Sequence, residues 1–114
     1  MSRREELRLR DITEAIETIR SHIAVGGFDR KTSDAVLYNL VVIGEAAAQL
    51  SEETRLDAPE IPWTRVVGLR NLIAHEYFRV DLEVIQSILA EQLDQLDETA
   101  KRLLGDNNQT SGSG

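Results

Sequence analysis

The chain has 114 residues, 20 acidic against 13 basic, a formal net charge of −7 and no cysteine. That is the size of one small domain able to bury its own core, and it excludes a disulfide framework, thiolate metal sites and a cysteine nucleophile. Two histidines are too few for most zinc sites, no apolar run reaches the roughly 18 residues of a membrane span, and the N-terminus lacks a secretory signal's apolar stretch. A cytoplasmic chain with no membrane contact, no metal and no cofactor is expected.

The apolar period is helical from end to end. Ile12, Ile16, Ile19 and Ile23 form one stripe of a helix over about 4–25, stopped by Gly26-Gly27. Val36, Leu40, Ile43, Ala47 and Leu50 form a second stripe, with Thr32, Ser33 and Asp34 upstream as candidate caps. Leu37, Val41 and Val42 lie off that stripe, and Gly44, Ala46, Ala47 and Ala48 permit close backbone approach, so this helix is central in a bundle or shared with a partner. Residues 51–62 hold both prolines and read as a connector with room for a short helical turn. Pro62 fits the first position of a third helix presenting Trp63, Val66, Val67, Leu69 and Ile73 and reaching about Tyr77. Asp81 can cap a last helix in which Ile85, Leu89, Leu93, Leu96, Ala100 and Leu103 make a stripe ended by Gly105. The expectation is an all-α, antiparallel up-and-down bundle of four main helices plus that short turn. It forms a single domain over 1–105, and the tail over 106–114 has no apolar residue to dock and is expected to be disordered.

An acidic total speaks against non-specific nucleic-acid binding, because neutralising phosphates takes clustered Lys and Arg. The charge is uneven, however. Segments 31–61 and 81–114 are net negative, whereas 62–80 carries Arg65, Arg70 and Arg79 against Glu76, a net of +2. Eleven of the thirteen basic residues are Arg, whose planar fork suits phosphate.

Two places stand out for chemistry. Gly44-Glu45 sets a carboxylate in the most apolar helix, and Arg70-Asn71-Leu72-Ile73-Ala74-His75-Glu76-Tyr77 gathers Arg70, Asn71, His75 and Tyr77 in the locally basic segment. Asn71 and His75 are i and i+4, so the amide can hydrogen-bond the imidazole. His75 lies about 140° round and about 7.5 Å along the axis from Arg70, so the two do not touch by spacing alone. Against a phosphodiester, His75 could serve as general base or acid and Arg70 could neutralise the phosphoryl oxygens. One histidine does not readily do both, which makes a symmetric pair of copies chemically attractive. Each residue also has a plain structural reading: His75 as a helix C-terminal dipole partner, Arg70 paired to Glu76 or Glu45, Tyr77 packed with a wet hydroxyl.

At these residues the sequence resembles the HEPN superfamily, specifically the HepT-like toxins of HEPN–MNT toxin–antitoxin pairs. The resemblance covers about residues 8–104. It rests on Phe28-Asp29 before Thr32, Asp34-Ala35-Val36, Asn39-Leu40, Ile43-Gly44-Glu45-Ala46, Pro59 to Trp63, and Arg70-Asn71 through His75-Glu76-Tyr77-Phe78 with Val80-Asp81. It implies a HEPN-like helical homodimer with the motifs of two protomers facing one cleft, acting on RNA as a metal-independent endoribonuclease. It further implies a cognate MntA-like nucleotidyltransferase antitoxin that transfers AMP onto Tyr77. Arg70 and His75 are thereby assigned to cleavage, Asn71 and Glu45 to their support, and Tyr77 to substrate contact and regulation. The chain departs from its relatives in having Tyr38 where Arg is frequent before Asn39, and Val41 where an acid is frequent. A second reading keeps the same fold but makes the domain a non-catalytic, dimeric docking or substrate-presenting subunit of a nucleotidyltransferase.

Overall fold

The computed structural model describes residues 1–26, 29–79 and 81–112; Gly27, Phe28 and Val80, which the sequence reading used, lie outside them. Most of the described residues are helical, with no strand among them. Helix α1 runs Arg3–Gly26, α2 Arg30–Ala48, α3 Glu52–Leu56, α4 Trp63–Glu76, α5 Leu82–Glu91 and α6 Leu93–Gly112, with a 3-10 turn at Tyr77–Arg79 between α4 and α5.

The expected stripes become the core. Leu9, Ile12, Ile16 and Ile19 of α1 have no exposed surface, and Val36, Leu40 and Ile43 of α2 have at most 1%. Helix α2 packs against α1 on one side and α4 on the other, which is the first of the two positions its several apolar faces allow, central in a bundle or shared with a partner. Helix α6 closes the bundle against α1 and also carries α5. Between α1 and α6 a polar seam forms, where Arg20 reaches both Asp94 and Asp97, and the buried Asp97 also accepts from Lys101 Nζ at 3.0 Å.

Three local features differ from the sequence reading. The cap of α2 is Asp29, whose Oδ1 accepts from the Thr32 N–H at 2.7 Å; Thr32 and Ser33 are buried inside the helix instead of capping it. The last helix is two helices, interrupted at Gln92. Two consecutive spacings of four set Ile85 and Leu93 about 80° apart on a straight helix, and the interruption lets both be buried, at 1% and 5% exposure. Finally, α6 does not stop at Gly105 but continues to Gly112, so the tail expected to be disordered from 106 begins as helix. Gly105 does not adopt the left-handed backbone of a helix stop, and extending a formed helix costs far less than nucleating one. Residues 113 and 114 are outside the described set.

The connector is pinned at several points. The Trp63 indole N–H donates to the carbonyls of Ala58 and Arg55 at 3.0 and 3.2 Å, Arg55 donates to the Ala47 carbonyl at the end of α2, and Arg102 of α6 reaches Asp57 and Glu60. Glu5 of α1 accepts from the Ser51 N–H at 2.6 Å and the Thr54 hydroxyl at 2.9 Å. Partial burial alone raises the Glu5 pKa, but the hydrogen bonds from Ser51 and Thr54 outweigh it and hold the carboxyl below its ordinary 4.5. A folded-state pKa lowered in this way contributes stability that is present above the unfolded value and lost as pH falls through the folded one. Thermal melts of Glu5→Gln should therefore fall below wild type near neutrality, with the gap closing as pH falls below the ordinary 4.5.

Candidate functional site

The site lies where α2 crosses α4. A Cβ placed on Gly44 would stand 3.1 Å from the Arg70 nitrogen and 3.1 Å from the Val66 carbonyl oxygen, so a larger residue would require the backbones to give by a few tenths of an ångström. The crossing sets the next residue, Glu45, beside the motif arginine, and Arg70 Nη1 donates to Glu45 Oε1 at 3.1 Å. Both side chains keep substantial solvent exposure, at 37% and 50%, so the pair orients the guanidinium without burying it and contributes little stability.

About two helical turns after Arg70, the chain tightens into the 3-10 turn that begins with Tyr77. The Tyr77 hydroxyl donates to Asp34 Oδ1 at 2.5 Å. That hydrogen bond is the main reason the phenol pKa is raised above 10.0; burial and the Asp34 charge add to it, and Arg30 opposes it. The two contacts run in opposite sense along the chain, Glu45 with Arg70 and Asp34 with Tyr77, so α2 and α4 are antiparallel. Asp34 and Glu45 are eleven residues apart, within about 20° on a helix. They form one acidic stripe facing the motif, and by register Tyr38 and Val41 fall between them. The Tyr38 side chain is 69% exposed.

The other two motif residues point elsewhere. Ile73 and Val66 face the core while Asn71, Leu72 and His75 are exposed, so His75 stands on the outer face of α4, away from α2. Among the described residues no hydrogen bond joins Asn71 to His75, although their spacing permits one. Gly68 shares that outer face by register, and a Cβ added there would meet nothing within 4 Å. The sequence reading paired Arg70 with Glu76 or Glu45, and the partner is Glu45. Asp34 enters the sequence reading only as a candidate cap and as part of the Asp34-Ala35-Val36 resemblance; its eleven-residue spacing from Glu45 is the signal that it belongs to the same stripe.

Among the described residues no three His, Cys, Asp or Glu side chains gather in a metal-ligating group. No described helix is long and apolar enough to cross a membrane. A groove of about 460 Å³ between α4 and α5, lined by Arg65, Leu69, Asp81, Val84 and Ser87 among others, does not include Arg70, His75 or Tyr77. The motif thus occupies open surface, with the arginine and tyrosine turned toward α2 and the histidine turned outward.

The family model described as Ribonuclease HepT-like matches residues 9–103. The chain is 34% identical to "Probable ribonuclease HepT" of Thermococcus cleftensis over 108 residues, 90% of this chain and 98% of that protein. It is also similar to two proteins of Methanocaldococcus jannaschii. It is 36% identical to "Putative RNase MJ1380" over 62 residues, 54% of this chain and 57% of that protein, and 33% identical to "Putative RNase MJ0127" over 82 residues, 68% of each. No solved structure matches the chain.

Proposed function

The chain belongs to the HepT-like ribonuclease family, and on that premise we propose that it is the endoribonuclease toxin of a toxin–antitoxin pair, cutting RNA without a metal in a cleft shared by two copies. The observation that carries the shared cleft is the divergence within one protomer: Arg70 is held toward α2 by Glu45, whereas His75 stands on the outer face of α4. A second copy laid against that face brings a second histidine and a second arginine to the same phosphate. The open Gly68 and the 47% exposed Leu72 support such an approach, since they offer close backbone contact and apolar area on the same face.

In this reading the RNA 2′-OH attacks the adjacent phosphorus, one His75 takes its proton and the other protonates the departing 5′-oxygen. The two Arg70 guanidinium groups neutralise the equatorial oxygens of the transition state. Glu45 keeps Arg70 extended across the α2–α4 crossing, and Asn71 supports the motif from its exposed position beside His75. Tyr77 contacts substrate and is the acceptor of AMP from a nucleotidyltransferase antitoxin; an added phosphodiester there repels the RNA backbone. The acidic surfaces flanking the +2 segment disfavour indiscriminate RNA binding and suit a basic partner face.

Incubating the purified chain with mixed RNA in EDTA tests this directly. The expected result is cleavage undiminished by the chelator, leaving 2′,3′-cyclic phosphate ends. Loss of cleavage in EDTA overturns the metal-independent step, and no cleavage under any condition favours the substrate-presenting subunit instead.

A further inference from the structure

The Asp34–Tyr77 contact joins two exposed side chains from different elements, and it involves the oxygen proposed above to accept AMP. Tyr77 is 42% exposed as a residue, and its hydroxyl proton is already directed at a carboxylate. We propose that Asp34 is the general base for nucleotidyl transfer to Tyr77, so that this chain supplies part of the catalytic machinery for its own silencing. The inference rests on the reading of Tyr77 as the acceptor.

The step balances as an in-line displacement. The Tyr77 oxygen attacks the α-phosphorus of a nucleoside triphosphate held by the nucleotidyltransferase, forming the O–P bond. The bond from the α-phosphorus to the bridging oxygen breaks, pyrophosphate leaves with the electron pair, and the phenol proton passes to Asp34 Oδ1. A base is needed because the contact itself holds the phenol in its protonated form. The charged groups acting on the phenol are Asp34 and Arg30, both on α2; Arg30 favours the negative oxygen that develops during attack.

The same geometry gives the transfer a direction. Once AMP occupies the oxygen, Tyr77 has no proton to donate, and a phosphodiester anion faces the Asp34 carboxylate. The contact between α2 and the 3-10 turn cannot re-form, and that turn directly follows the helix bearing His75. Modification therefore removes a positioning contact as well as adding charge.

The test follows the initial rate of AMP incorporation into the intact chain, by mass, with its nucleotidyltransferase partner and ATP across a pH series. Wild type is compared with Asp34→Asn, Asp34→Ser, Asp34→Glu and Tyr77→Phe. The expected result is a loss of about 10²- to 10⁴-fold for Asp34→Asn near neutrality. That gap narrows as pH rises, because the phenol then ionises unaided. Asp34→Glu recovers part of the rate with the wild-type pH profile, and Asp34→Ser repeats the Asn result should the amide disturb the fold. Modification of Asp34→Asn and Asp34→Ser at the wild-type rate, or slowed by one constant factor at every pH, overturns the role of Asp34. An unmodified wild type, or a modified Tyr77→Phe, overturns the reading of Tyr77 as acceptor instead.

Discussion

Mixing the wild-type chain with an equal amount of His75→Ala, with exchange of protomers allowed, leaves about one quarter of the RNA cleavage rather than one half, because only about a quarter of random pairs then hold two intact histidines. The pure His75→Ala protein loses about 10²- to 10⁴-fold or more, the range expected when a proton-transfer group is removed. His75 projects from the face of α4 opposite Ile73 and Val66, and among the described residues it has no hydrogen-bonding partner with which to divide the two proton transfers. The readout is cleavage rate against the fraction of wild-type chain. A straight line would mean that each protomer cuts alone, and an unimpaired His75→Ala protein would remove His75 from the chemistry altogether.

Gly44→Val destabilises the fold by about 1–3 kcal/mol, the usual penalty for inserting methyl groups into a filled contact. The added Cβ would meet backbone atoms, the Arg70 nitrogen and Val66 carbonyl at 3.1 Å, and these cannot swing aside as the end of a flexible side chain can. Helix α4 must move away from α2, and the 3.1 Å contact between Arg70 and Glu45 lengthens with it. Cleavage should therefore fall even under conditions where the variant remains folded, although Gly44 touches no substrate. Gly44→Ala is the milder case, since alanine regains about 1 kcal/mol of helix propensity. Gly105→Ala is the control: it has the same propensity gain and no atom within 4 Å of the new Cβ. Thermal melts of the three variants, read beside RNA cleavage, check both effects.

The core was legible because it depends on period alone. Ile12, Ile16 and Ile19 at spacings of 4 and 3, and Val36, Leu40, Ile43 and Ala47 after them, can bury together only on helices, and all are buried. Gly44 and the alanines beside it were legible as a close crossing for the same kind of reason, a missing side chain at a defined register. The choice among caps was less so, because Asp29, Thr32, Ser33 and Asp34 all have capping chemistry and local sequence does not say which one the chain's entry angle selects. The interruption at Gln92 follows from the requirement that Ile85 and Leu93 reach one core, which involves helices distant in sequence. At the site, spacing brought Asn71 and His75 to neighbouring positions, but neighbouring positions do not compel a hydrogen bond where water competes at the surface. Asp34 was hidden for the opposite reason: its contact with Tyr77 spans 43 residues and exists only once α2 and α4 have docked.

The carboxylate of Glu5 bears on the order in which this fold is completed. The Ser51 N–H and Thr54 hydroxyl that begin α3 take their acceptor from a residue 46 and 49 positions earlier, respectively, so the connector lacks one of its anchors until the start of α1 is docked. Closing so long a loop is slow compared with forming either helix. The Glu5 contacts are thus expected to form after the two helices they join. A bulky fusion at the N-terminus would then disturb the connector, distant in sequence but beside the start of α1 in space, through the loss of those Glu5 contacts.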